Sequence, residues 1–84
     1  MEIRISNSCF FTELDEKGIL LDTSDGIYYE FDDKAAFIWK MLMADDELQT
    51  IKKLYSEKFQ INDGESNKFI NEFIDDLKNK GFLI

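Results

Sequence analysis

The segment GIYYEFDDKAAFIWKML, residues 26–42, holds the point at which the period of this chain changes. Up to Phe31 the side chains alternate, so that Ile27, Tyr29 and Phe31 share one face of an extended strand and Tyr28 and Glu30 the other. Beyond it, Ala35, Ile38, Trp39 and Leu42 recur at helical spacing, and Met41 widens the same face. Asp32 stands at the junction, where a short carboxylate can accept hydrogen bonds from the free amides of the first helical turn. A strand passing directly into a capped helix is therefore the centre of the fold.

Working back from that junction, residues 3–31 read as short strands separated by polar turns that each end in glycine. Cys9 to Leu14 and residues 19–22 flank Asp15-Glu16-Lys17-Gly18, and Thr23-Ser24-Asp25-Gly26 leads into the strand at 27–31. Both turns read as four residues with Gly last, a type I turn closed by a residue free to take positive φ, so each predicts an antiparallel hairpin. Working forward, Asp46 and Gln49 resemble a capping box for a second helix carrying Leu48, Ile51, Leu54, Tyr55 and Phe59 inward. Asn62 and Glu65 open a third, which runs to Lys80, with Lys78 and Lys80 near its negative end and Gly81 stopping it. Phe82-Leu83-Ile84 is too apolar for a frayed tail and is expected to pack back on the core. The predicted class is α+β: a three-stranded antiparallel sheet followed by three helices, in one domain spanning residues 1–84.

Composition narrows the function. The chain has 84 residues, 44% hydrophobic and 14% aromatic, with eight phenylalanines. Folding a chain of this size removes roughly 60–70% of its unfolded surface, enough for one modest core. Eighteen acids against ten bases leave a net charge of −8, and Arg4 is the one arginine. A phosphate-backbone binder needs clustered Lys and Arg to displace counterions, so no nucleic-acid partner is expected. No apolar run approaches the ~20 residues of a membrane span. The start, MEIRIS, lacks a secretory n-region and h-region, and Cys9 has no second cysteine to pair with, so a cytoplasmic location is expected.

The residues of catalysis are largely missing. There is no histidine, which removes the commonest general base and transition-metal ligand. Cys9 has no base to activate it and reads as strand packing. Asp32-Asp33, Asp45-Asp46 and Asp75-Asp76 are sequence neighbours that diverge on a helix, better suited to caps and solvated faces than to a carboxylate pair. The glycines stand in separate turns and form no phosphate cradle, and the acidic turns are too short for a calcium loop. No enzyme, metal or cofactor is expected, which leaves surface for binding.

One surface stands out. In an up-and-down meander the strand Ile27–Phe31 lies at an edge, where unpaired amides and carbonyls can accept another strand. The third helix carries two apolar lines: Ile70, Ile74 and Leu77 form one, and Phe69 and Phe73, continued by Asp76 and Lys80, form a second. With the first line as core, the second becomes the far wall of a groove whose near wall is Ile27, Tyr28, Tyr29, Glu30 and Phe31, a site for an extended peptide. Strand pairing alone, at ~1 kcal/mol net per hydrogen bond, does not outweigh an association cost of ~4–15 kcal/mol. Two or three buried apolar anchors, at ~1.5–3 kcal/mol each, are needed as well. Periodicity does not separate this reading from a plain core role for Phe69 and Phe73, or from a plain solvated face for Tyr28 and Glu30. The same edge also offers a route to a homodimer.

The glycine turn, aromatic strand, polar cap and Ile-Trp helix of residues 26–42 resemble the signature of PqqD-like proteins. GILLDTSDG before it and FINEFIDDLKNKGFLI at the end resemble the family's preceding strand and closing helix, so that the likeness runs from about Phe10 onward. It implies a winged helix-turn-helix-like fold, the RiPP recognition element, whose third strand and third helix clasp the leader region of a ribosomally made precursor peptide. Carried onto this chain, that groove is residues 27–31 with Phe69, Phe73 and Asp76. The implied role is a non-catalytic adaptor that presents the leader to a radical SAM enzyme, a leader peptidase or a lasso-peptide cyclase. An acidic docking or regulatory subunit, and a winged-helix transcription regulator, remain as alternatives; the second requires a basic recognition helix, which the mixed charges of the third helix do not supply.

Overall fold

The alternating half of the chain forms a meander of three antiparallel strands, β1 (Cys9–Leu14), β2 (Lys17–Asp22) and β3 (Ile27–Phe31). The helical half follows as α1 (Asp33–Met43), α2 (Leu48–Phe59) and α3 (Asp63–Asn79). The structure is a computed structural model, and it describes residues 3–84; Met1 and Glu2, part of the amino-terminal segment read above for a signal, lie outside the described residues. The sheet order is β1-β2-β3, which places β2 in the centre and β3 at an edge.

The two hairpins close differently. Thr23 to Gly26 form the expected four-residue loop, with Gly26 at φ 75° and Asp22 paired with Ile27 across its base. Asp22 organises this loop: its carboxylate accepts hydrogen bonds from the Ser24 amide at 2.9 Å and the Ser24 hydroxyl at 2.6 Å. These hold the Asp22 carboxyl below the usual carboxylate range. The first hairpin is tighter than the sequence reading. Leu14 pairs with Lys17, so the loop is Asp15 and Glu16 alone, with Asp15 at φ 58°. Aspartate tolerates that left-handed conformation through its short polar side chain.

Gly18 is thereby freed for another purpose. It lies inside β2, between Glu13 and Phe31, and a Cβ there would meet the Phe11 ring at 2.2 Å. Its missing side chain lets Phe11 cross the sheet and reach Phe31 and Trp39, with ring centroids 6.0 and 6.3 Å away.

Asp32 caps α1, accepting from the Ala35 amide at 2.9 Å, and Asn62 caps α3, accepting from the Glu65 amide at 2.8 Å. The α2 start differs by one residue from the sequence reading. Its N-cap is Glu47 and not Asp46, because Asp45 takes φ 61° and turns the chain late.

The core lies between the inner face of the sheet and the helices. Leu20 and Phe31 meet Ala36, Ile38, Trp39 and Leu42 of α1, Ile51 and Tyr55 of α2, and Ile70, Ile74 and Leu77 of α3. In α1 it is Ala36 that is buried, whereas Ala35 is only partly covered. Leu54, read as inward, is 39% exposed.

Phe82 and Leu83 are buried as expected, and their backbone has a partner that the sequence did not announce. Ile5 bridges Leu83, the Ser6 amide donates to the Phe82 carbonyl at 2.9 Å, and the Ile84 amide donates to the Arg4 carbonyl at 2.8 Å. The carboxyl end therefore closes on the amino-terminal segment, not on β3.

Candidate functional site

Each residue of β3 pairs with β2 alone among the described residues, so the far side of the strand is open. Its side chains divide as the alternation requires. Phe31 is buried, Tyr29 is half-buried and Ile27 is exposed at the loop end, all on the helix side of the sheet; Tyr28 and Glu30 are exposed on the opposite side.

The two apolar lines of α3 also separate. Ile70, Ile74 and Leu77 are in the core, whereas Phe69 is 39% exposed, Phe73 is half-buried, and Asp76 and Lys80 are at the surface. The second line faces β3. Phe73 meets Phe31 edge-on at 5.7 Å, stacks on Phe69 at 6.1 Å with planes 6° apart, and Phe69 stacks on Tyr55 at 5.7 Å. One helical turn beyond Phe73, Asp76 pairs with Lys80, whose ammonium stands 5.2 Å from the centre of the Tyr29 ring; Phe82 meets that ring edge-on at 5.2 Å. The structure thus brings together Ile27, Tyr29, Phe31, Phe69, Phe73, Asp76 and Lys80 along one side of the molecule. It leaves Tyr28 and Glu30 on the other face, in line with the edge but not with the aromatic line of α3.

Geometrically this is an open strand edge beside an aromatic wall with a Lys–Asp pair at one end. Its shape is suited to hold an extended chain. Cys9 lies elsewhere, half-buried, with its thiol donating to the Ser6 carbonyl at 3.1 Å; burial, and then the Asp22 charge, push that thiol up and disfavour the reactive thiolate. Among the described residues no group of acidic, cysteine or histidine side chains is arranged to hold a metal ion. No helix among them is long and apolar enough to cross a membrane.

A second surface escaped the sequence reading. The outward face of the sheet carries Phe10, Leu14, Ile19, Leu21 and Tyr28, which line a shallow depression of about 500 Å³ with Thr12 and Glu30. The signal was present in the alternation of β1 and β2. Residue type alone does not say which face of a small meander the helices cover, since both faces here carry apolar side chains.

Two solved structures share the fold over nearly their whole length. One, TbiB1 in complex with the TbiA(beta) leader peptide, has a TM-score of 0.90 and 21% identity, covering 95% of this chain and 93% of that one. The other, lasso peptide synthetase B1 complexed with the leader peptide, has a TM-score of 0.91 and 20% identity, covering 100% and 99%. Among curated proteins none matches. The model of one family, described as coenzyme PQQ synthesis protein D, matches residues 17–83, from the start of β2 to the buried carboxyl end. With the strands, helices and closing segment all inside or adjoining that match, the chain belongs to the PqqD family.

Proposed function

We propose that this protein is a non-catalytic adaptor that binds the leader region of a ribosomally synthesised precursor peptide and presents it to a modifying enzyme or a leader peptidase. The observation that carries the reading is the open edge of β3 beside the aromatic line of α3. Its support is the fold shared with two proteins whose structures are described as leader-peptide complexes.

In this reading the leader adds as a strand to β3, its backbone pairing with residues 27–31. Alternate side chains turn toward α3, where the exposed face of Phe69 and the flank of Phe73 provide apolar contact. Each anchor fully buried there contributes about 1.5–3 kcal/mol, so two or three of them add a share comparable to strand pairing itself. Lys80 and Asp76 offer a cation and an anion at the end of the groove for a polar leader residue. Catalysis is not part of this role. Holding the leader beside an enzyme raises the effective concentration of the core peptide at that enzyme's site.

The test is a residue-resolved NMR titration with the leader of a short precursor encoded beside this chain, and separately with duplex DNA. Saturable shifts confined to residues 27–31 and 69–80 on adding leader are expected. Silence there, with a response to DNA, would overturn the adaptor in favour of a regulator.

A further inference from the structure

We infer that the outward face of the sheet is a second docking surface, which takes a protein partner presenting an apolar patch edged with Lys and Arg. An adaptor needs two faces, and this inference rests on the adaptor reading for the partner's identity: the enzyme that receives the leader.

The face is built from side chains that the fold does not use. Phe10 is 61% exposed, Tyr28 62% and Leu14 52%, and across the strands they meet the half-buried Leu21 and Ile19, since Phe10 pairs with Leu21 and Leu21 with Tyr28. No helix, terminus or loop among the described residues covers this side; α1 packs against the inner one, and α3 reaches that side through Phe73 on Phe31. Large rings and aliphatic chains that are contiguous and uncovered mark an interaction surface more often than scattered exposed residues do.

Charge selects the occupant. Asp15 and Glu16 stand at the turn beyond Leu14, Glu30 stands on the face beside Ile19, and Asp25 stands in the loop beyond Leu21; Lys17 is the one base among them. A second copy would bring like charges together, both at this rim and through a net charge of −8 on each chain. A partner with a basic rim meets complementary charge over the same apolar centre. The surface borders the groove only at Tyr28 and Glu30; Phe10, Leu14, Ile19 and Leu21 lie on the opposite side of the sheet from α3, so leader and enzyme can be held together.

The test measures affinity of the full chain for the modifying enzyme or leader peptidase encoded beside it, and in parallel for the leader peptide, with Phe10→Ser, Leu14→Ser and Glu16→Lys. The altered side chains are exposed, and folding is checked by far-ultraviolet circular dichroism. Enzyme affinity is expected to fall about tenfold or more for Phe10→Ser and Leu14→Ser and by a smaller factor for Glu16→Lys, with leader affinity unchanged. Enzyme affinity unaltered in the two serine variants would overturn the inference. So would a wild-type dimer in sedimentation that Phe10→Ser dissolves, since the face would then belong to a second copy. Loss of leader binding by the wild type counts against the adaptor reading, while enzyme binding that still depends on Phe10 sustains the docking surface.

Discussion

Helix α3 presents two lines of apolar residues that are indistinguishable by hydropathy and opposite in fate. Ile70, Ile74 and Leu77 are enclosed by the sheet and the other helices, whereas Phe69 and Phe73, a single residue to one side, stack along the rim toward β3. The buried line is aliphatic and the rim line aromatic. Interdigitated cores accept branched aliphatic chains in well-defined rotamers, while a flat ring can cover the core with one face and leave the other to a guest. The division holds within α3 alone, for Trp39, Tyr55 and Phe82 are rings buried in the core: what sets a side chain's fate is the surface brought against it, and the ring tolerates the half-covered position better.

The largest effect should come from the buried line. Leu77→Ala or Ile70→Ala is expected to cost about 2–5 kcal/mol, measured by chemical denaturation, a large fraction of the stability of a chain this small. Truncations that cost under about 1 kcal/mol would erase the distinction between the lines. Next, Phe73→Glu should weaken leader binding by about tenfold to a hundredfold while the protein stays folded, with titration calorimetry and circular dichroism run together. Both rings touch the core, Phe73 at Phe31 and Phe69 at Tyr55, but Phe69 is the more exposed, so Phe69→Ala should lose leader affinity with the smaller loss of stability. Unfolding of both would assign the rim line to the core.

Proline at Tyr28 or Tyr29 sharpens the other wall. The position whose amide points outward should lose leader binding without loss of the sheet, and the position whose amide pairs with β2 should lose both. Undiminished binding by both variants would exclude strand addition.

The smallest effect belongs to the loop that sets the register of β3. The Asp22 carboxyl is held below its ordinary value by Ser24, so its contribution is present above the unfolded pKa of about 3.9 and is lost as pH falls through the lower folded value. The acid-induced loss of stability should therefore be shallower in Asp22→Asn than in the wild type, when unfolding is followed from pH 5 downward. An identical slope would mean that Ser24 does not discriminate between the two forms of the carboxyl.

Much of this molecule was legible without its structure, because the legible parts depend on neighbours in the chain. The period change at Phe31, the caps at Asp32 and Asn62, the positive φ at Gly26 and the stop at Gly81 each rest on interactions within a few residues. Of the readings that failed, one rests on a contact across the sheet and one on a local backbone conformation that residue type does not announce. Gly18 looked like a turn glycine, but the ring of Phe11 decides its role; Asp46 looked like a cap, but the left-handed Asp45 moves the start of α2 to Glu47.

By itself, then, the sequence determined the order and type of the elements, the exclusion of histidine chemistry and the candidate wall of Phe69 and Phe73. Only the tertiary structure decided which apolar line of α3 is enclosed, that the carboxyl end pairs with residues 4–6 and leaves β3 open, and that Phe10, Leu14 and Tyr28 face solvent. The reason is physical: a backbone conformation is favoured by local sterics and hydrogen bonds, but burial depends on what the rest of the chain brings against a surface.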